Sequence, residues 1–437
     1  MGRTRRGLEV STTDAGAIAA VDDFTDRLAG IRLGVEAVLD EAATHPDVAM
    51  LQLGAAMLFL YGQTAEASSV ARRHLDDAAR LEPAMCEREL ATLAALERWY
   101  AGDFLVAVEV LESLVTRWPR DLLALKALEF LYYVLGQQHM GPRFLAQVER
   151  IAGRNPDDAD VLAVWAFAAE LSGDPPRAFD LAEAALAIEP HTPWAHHALA
   201  HVLITRGDPP DAIARLRSFV PVWADSGRVI ECHNLWHLAV ALLDQLAVDE
   251  AEALFRDRLW GVQPDTPGEQ IDAISYLWRV EMGGWTVDDA RWADVADHVE
   301  ARVDECVFPF LSAHHGYALA RAGRTDALAA LRASVQRRAD VGDGEATRVW
   351  QPIGQPVVEA CIAHGSGDLA QAAALLDPVA GGMAAVGGSD AQDDLFRQAY
   401  LTALAGAGRT ADAQAWFESM TSFKVRSPLD ERLLARL

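Results

Sequence analysis

Five histidines crowd into one short window of the chain: His196, His197 and His201 in WAHHALAH, then His233 and His237 in HNLWH. The whole chain of 437 residues has 13 histidines, so the crowding asks for a chemical reason. Residues four apart share a helix face. His197 and His201 make one such pair, and His233 and His237 another, so two adjacent helices could present four imidazoles to one groove. Three kinds of chemistry fit. Imidazole ligates Zn, Fe, Ni or Cu, and the i, i+4 spacing suits one ion, with Glu231, Asp272 or Glu170 available as carboxylate ligands. Imidazole also titrates near neutrality and serves as acid or base. Finally, buried histidines and asparagines can form a hydrogen-bond network that fixes the registry of stacked helices. There is no HExxH motif and no ExxH pair of the di-iron type. The metal reading therefore stands on His197, His201, His233 and His237 alone, and the cofactor expectation is either none or a divalent transition metal.

Other residues could complete a pocket. Arg279 in DAISYLWR could hold a carboxylate or phosphate through two parallel hydrogen bonds. GGS at 387–389 could offer backbone N–H groups to an anion. Trp236, Trp278 and Trp350 would supply aromatic walls. In a catalytic version, one histidine acts as general base and its i+4 neighbour orients it. Cys232 beside His233 could be a thiolate, since an imidazolium lowers a thiol pKa. His45, His74, His139, His191, His298 and His364 read as surface or helix-end residues.

The elements that must position these residues are helical. The chain is 51% hydrophobic, rich in Ala and Leu at helical spacing, and has no alternating strand pattern. In AFDLAEAALAI, 178–188, apolar residues recur at three and four, as an amphipathic helix requires. Short turns recur at Gly102, Gly136, Gly173, Gly207, Gly284, Gly323, Gly367 and Gly408, where glycine ends one helix. Clusters such as DPPRAF and DPPDAI open the next, with proline in the first turn. In LAVDEAEALF, near 247, the same turn lacks its glycine. Gly102 to Gly136 and Gly173 to Gly207 are each 34 residues, which is the tetratricopeptide period. The expected fold is all-α: a tetratricopeptide-like helical-hairpin solenoid, or superhelix, of about nine pairs between 45 and 420. Residues 1–20 are expected to be loosely held, 21–437 to form a single domain, and 382–390 to be a loop. HHALAH and HNLWH fall on first helices of neighbouring repeats, which line the concave face. A chain closing on itself would bring 382–396 near them.

WAHHALAHVL and HNLWHLAVALL are not generic repeat sequences. With GDFLVAVEVLESLVTRWPRDLLAL (102–125), DAISYLWRVE (272–281), FLSAHHGYALARAG (310–323) and GGSDAQDDLF (387–396), the chain resembles the tetratricopeptide repeat protein 38 family from about 45 to 435. The resemblance implies an α-helical superhelix and no particular reaction. It places His197, His201, His233, Asn234, Trp236, His237, Asp272, Trp278, Arg279, His314, Gly387, Gly388, Ser389 and Gln392 on the family's characteristic positions. The chain departs from the pattern at His196, Leu235, Ser312, His315 and Asp393.

Charge narrows the partners. The net charge is −26 and the pI about 4.8, whereas a phosphate backbone or an anionic membrane needs a basic face. Neither nucleic acid nor membrane is expected. Only Lys126 and Lys424 are lysines. The 4 cysteines, Cys86, Cys232, Cys306 and Cys361, lie far apart without a CxxC pair, unlike a disulfide framework. The basic start MGRTRR has no apolar run behind it, so no signal peptide is expected, and a cytoplasmic location follows. Two functions fit. One is a His-lined pocket for a small molecule, anionic or neutral, with His197, His201, His233, His237 and His314 as acid–base or metal-binding groups. Asn234, Trp236, Asp272, Trp278, Arg279, Gly388, Ser389 and Gln392 would contact the ligand. The other is a peptide-binding scaffold whose histidines are structural.

Overall fold

Reversals of the chain come where the glycines predict them. In the computed structural model, which describes residues 1–206, 209–341, 344, 346–422 and 424–437, Gly102, Gly136, Gly173, Gly284, Gly323, Gly367 and Gly408 all have positive φ. The expected turn at Gly207 lies outside the described residues. The glycine-less turn near 247 is made by Leu246, which takes φ 58° itself. A leucine there carries a steric cost of roughly 1–2 kcal/mol that glycine would avoid.

Between turns the chain forms antiparallel helical hairpins, such as Glu87–Tyr100 with Phe104–Arg117, Ala159–Leu171 with Pro175–Ile188, and Asp390–Gly406 with Thr410–Thr421. The two members of a hairpin differ in composition. Ala159–Leu171 is buried nearly all round, whereas Pro175–Ile188 buries only a stripe of Ala178, Ala182 and Ala185. First helices are thus core elements and second helices face solvent on one side. Asp174 caps Pro175–Ile188 by accepting from the Arg177 N–H at 3.2 Å, as the DPPRAF cluster predicts. The fold is all-α, built of tetratricopeptide-like hairpins, and its only described sheet is a two-stranded one.

Contacts divide the chain into two compact units, Met1–Leu199 with Pro221–Ile230, and Ala200–Val220 with Glu231–Leu437. The sequence reading treats 21–437 as one body. The division falls inside the helices Pro193–Arg206, Pro209–Trp223 and Arg228–Asp244, where no linker or composition change marks it.

In the first unit, residues 1–20 are tied down. Gly2–Arg3 pairs antiparallel with Glu9–Val10, and Asp14 caps the helix Ala15–Ala29. Arg6 reaches Asp158 at 2.7 Å, and the Ser11 N–H donates to Glu89 at 3.1 Å. Arg88, buried on Glu87–Tyr100, donates to the Glu9 carbonyl at 3.1 and 3.0 Å and to Asp121 at 2.9 Å. Those partners are far apart in sequence, so nothing local announces them.

In the second unit the first helices gather on one another. Pro267–Met282 packs on Pro309–Arg321 and also on Asp390–Gly406. The expected loop 382–390 is mostly a 3₁₀ turn, Ala380–Val386, followed by Gly387 and Gly388. Among the described residues the cysteines form no disulfide, and Cys86, Cys232 and Cys361 are buried. Among the described residues, no single helix is long and apolar enough to cross a membrane.

Candidate functional site

The second unit brings together three of the expected imidazoles. His201 comes from Pro193–Arg206, and His233 and His237 from Arg228–Asp244. The rings of His201 and His237 lie 4.6 Å apart at 58°, and those of His233 and His237 lie 4.8 Å apart at 75°. Two of the three are held by carboxylates. His201 Nδ1 meets Asp390 Oδ1 at 2.9 Å, and His233 Nδ1 meets Asp272 at 3.1 and 3.3 Å. An ionised carboxylate only accepts, so each Nδ1 carries the proton and Nε2 is the basic nitrogen of the neutral ring. Trp236 stacks on His233 at 5.2 Å and sets its plane. His201 and His237 are buried and His233 is partly exposed.

Asp390 opens the helix Asp390–Gly406, so the 387–396 segment does reach the histidines. The reason is steric and local. Gly387 and Gly388 have φ of 112° and 96°, a region closed to most side chains. A Cβ on Gly388 would stand 2.7 Å from the Phe310 ring. The turn ends in a capping box, with the Ser389 N–H donating to Gln392 Oε1 at 3.0 Å. GGSDAQ thus aims the first turn of this helix, and with it Asp390, at His201.

Arg279 is buried and its hydrogen bonds go to the protein. It donates to the Ser275 hydroxyl and to the Ala391 carbonyl, the latter at 2.9 Å, and it lies 5.5 Å over Trp236. It therefore locks the Asp390–Gly406 helix onto Pro267–Met282. Burial lowers its pKa, while Asp394, Asp244 and Asp272 pull the other way. Asp244 itself is pushed up to about 7 by burial, and burial also pushes Asp393 well above the usual carboxylate range, its oxygens having no hydrogen-bond partner among the described residues. Sequence reasoning passed over Asp244, Asp390 and Asp394, since isolated aspartates in an acidic chain carry no signal. Asp393 it noted only as a departure from the family pattern.

Other expected site residues have different surroundings. Asn234 is buried on the His233 helix. His314 donates from Nδ1 to the Phe310 carbonyl at 2.8 Å and packs on the Phe310 and Phe396 rings. Trp278 stacks on Tyr317 at 3.7 Å and lines a small apolar void with Cys361, His364 and Phe396. Trp350 is fully buried. Cys232 Sγ faces the Leu259 carbonyl at 3.5 Å, and Glu231 pairs with Arg258 at 2.6 Å.

Burial pushes the His314 pKa down to about 4 from 6.5. The unfolded chain takes up that proton first, so its stabilising effect is complete above pH 6.5 and is lost as pH falls towards 4. Buried carboxyls such as Asp244 have raised pKa values and act in the opposite sense, so the comparison must be with a variant. The stability gap between wild type and His314→Gln should narrow by about 3 kcal/mol between pH 7 and 4. Urea unfolding at several pH values reads it, and parallel pH profiles would rule it out.

His197 belongs to the first unit. It stacks on Trp194 at 4.3 Å and meets the edge of Phe167 at 4.8 Å. Trp194 in turn donates to Glu129 at 2.7 Å and carries the Lys126 ammonium 4.5 Å above its ring. Lys126 also pairs with Glu129. Lys126, one of the two lysines, thus anchors an aromatic network. His196 turns to Trp223, whose Nε1–H donates to its Nδ1 at 3.2 Å. Glu170, a suggested carboxylate ligand, is buried in the same unit.

The tetratricopeptide repeat family matches residues 169–221, a stretch that includes the hairpin turn at Gly173 and the WAHHALAH helix. The chain therefore carries tetratricopeptide-like repeats, and repeats of this class generally mediate protein or peptide interactions.

Proposed function

We propose that this is a protein similar to the tetratricopeptide repeat protein 38 family whose second unit binds a small anionic molecule at His201, His233 and His237. The observation that carries the reading is the pair of His–Asp contacts, His201–Asp390 and His233–Asp272, flanking the buried His237. Interaction surfaces do not need imidazoles oriented by carboxylates; acid–base and ligand-binding sites do, because the carboxylate fixes the tautomer and supports the charge when Nε2 takes a proton. An anionic ligand oxygen would accept from such a ring once protonated. Arg279 positions the Asp390 helix rather than touching the ligand. His314 packs on Phe310 and Phe396 in the same unit and is not assigned to the ligand.

Thermal melting across a panel of small carboxylates and phosphates tests this. Some compound should raise the melting temperature of wild type by several degrees at millimolar concentration and leave His201→Gln unmoved. The reading fails if every stabilising compound acts equally on both.

A second reading is a peptide-binding scaffold. It is favoured by the repeat match and by a surface groove of about 330 Å³ on the first unit, lined by Val106, Val110, Leu114 and Trp118 with Glu109 and the Glu87–Arg117 ion pair. Peptides bearing basic residues would suit it.

A further inference from the structure

We infer that His201, His233 and His237 take a divalent transition metal of the zinc class. The inference deepens the reading above, since it concerns the same cluster. The argument begins with ring geometry. Imidazoles sharing one tetrahedral zinc, each with Zn–N of about 2.0–2.1 Å, have ring centroids about 5 Å apart. His237 stands 4.6 Å from His201 and 4.8 Å from His233. The interplanar angles of 58° and 75° show that these rings are not stacked face to face. Steeply inclined rings can turn their edges, and so their nitrogens, towards one point. A ligating nitrogen of His201 lies within 4.8 Å of one on His237, and His233, with its ring 4.8 Å from that of His237 and its Nδ1 on Asp272, would have to turn its Nε2 towards them to complete the set.

The carboxylates supply the second argument. Metal-binding histidines characteristically donate their other ring N–H to a carboxylate, which fixes the tautomer and raises the basicity of the ligating nitrogen. His201 and His233 both have this partner, on Asp390 and Asp272. Neither carboxylate is a sequence neighbour of its histidine, so each pair is a product of the fold and not of helix periodicity. A plain structural network would not require the same nitrogen to face a carboxylate twice. Three neutral imidazoles would leave a fourth position for water or a ligand oxygen, as in catalytic zinc sites. They would also attract an anionic ligand to the cation.

Full-length protein without a histidine tag, stripped with a chelator, would be titrated with Co²⁺ alone and then Zn²⁺ alone. The expected result is saturation near one equivalent of Co²⁺, with visible d–d bands of a four-coordinate site that Zn²⁺ abolishes. His237→Gln should weaken Zn²⁺ binding by at least about 100-fold, and Asp272→Asn by about 10- to 100-fold. If His237→Gln does not fold by circular dichroism, His233→Gln replaces it with the same expectation. The inference is overturned if wild type shows no d–d bands, or if the variants bind Zn²⁺ as wild type does. Its failure is separable from that of the parent reading. Anions that protect wild type and not His201→Gln, with no metal bound, sink the metal alone. Metal bound without protection by any anion sinks the small-molecule reading alone.

Discussion

Arg88→Met should destabilise the first unit by about 3–5 kcal/mol, the usual cost of leaving one member of a buried ion pair behind. Arg88 and Asp121 are each only 2% exposed at the side chain and lie 2.9 Å apart. Removing the guanidinium leaves the Asp121 carboxylate buried without its cation. It also takes away the two guanidinium donors to the Glu9 carbonyl, leaving it the weak Cys86 thiol at 3.6 Å. Asp121 caps the helix Leu122–Val134 through the Ala124 N–H at 3.2 Å, so the damage reaches that helix start. Two observables follow: a lower urea midpoint, and faster hydrogen exchange for the amides of residues 2–11. A double variant, Arg88→Met with Asp121→Asn, should recover part of the loss, because the orphaned charge is gone. Wild-type stability in Arg88→Met would show that the pair contributes little beyond what it costs to desolvate.

Gly388→Ala should destabilise the second unit by about 2–4 kcal/mol, combining a positive-φ alanine with an overpacked contact. The φ is 96° and the new Cβ would stand 2.7 Å from the Phe310 ring. Either the ring or the chain must move, and the chain leads directly to Asp390. The variant should therefore also loosen the His201–Asp390 contact and blunt whatever protection small anions give. Gly381→Ala is the internal control. It lies in the same segment with open space around its Cβ and without a positive φ, and should melt within about 0.5 kcal/mol of wild type. Equal stability of the two variants would mean that the Gly387–Gly388 turn does not constrain the helix that follows.

Much of the scaffold can be read from punctuation. Glycine at a helix end and aspartate or proline at the next start are local signals, and Gly102, Gly173, Gly323 and Asp174 behave as local rules require. Leu246 shows that the hairpin period can override the residue: the reversal occurs on schedule with a leucine paying the strain. The i, i+4 rule places His233 and His237 on one helix, and their rings do meet, whereas His197 packs on Trp194 and Phe167. The sequence names Asp272 as a nearby carboxylate but neither its pairing with His233 nor Asp390 at all. Asp390 lies 189 residues from His201, and Asp272 lies 39 from His233. Only the packing of Pro267–Met282 on Asp390–Gly406 makes the segments neighbours. Arg279 illustrates the same limit. Its residue type suits an anion, but burial on that helix–helix contact turned it to Ser275 and Ala391. His314 has the right type and the wrong surroundings, since Phe310 and Phe396 keep it neutral. The N-terminal hairpin was missed because its anchors, Glu89 and Asp158, lie on distant helices.

The most direct test of the central claim is a crystal structure of the protein soaked with the compound that raises its melting temperature most. Binding at the carboxylate-held imidazoles predicts density for the compound, directly or through one bound ion or water, with a polar atom about 2.7–3.2 Å from its nearest partner. That partner should be a ring nitrogen of His201, His233 or His237, or the ion or water they hold. The His201–Asp390 and His233–Asp272 contacts should persist beside it. Density for the compound in the groove of Val106, Val110, Leu114 and Trp118, with the three imidazoles untouched, would contradict the account and favour an interaction scaffold.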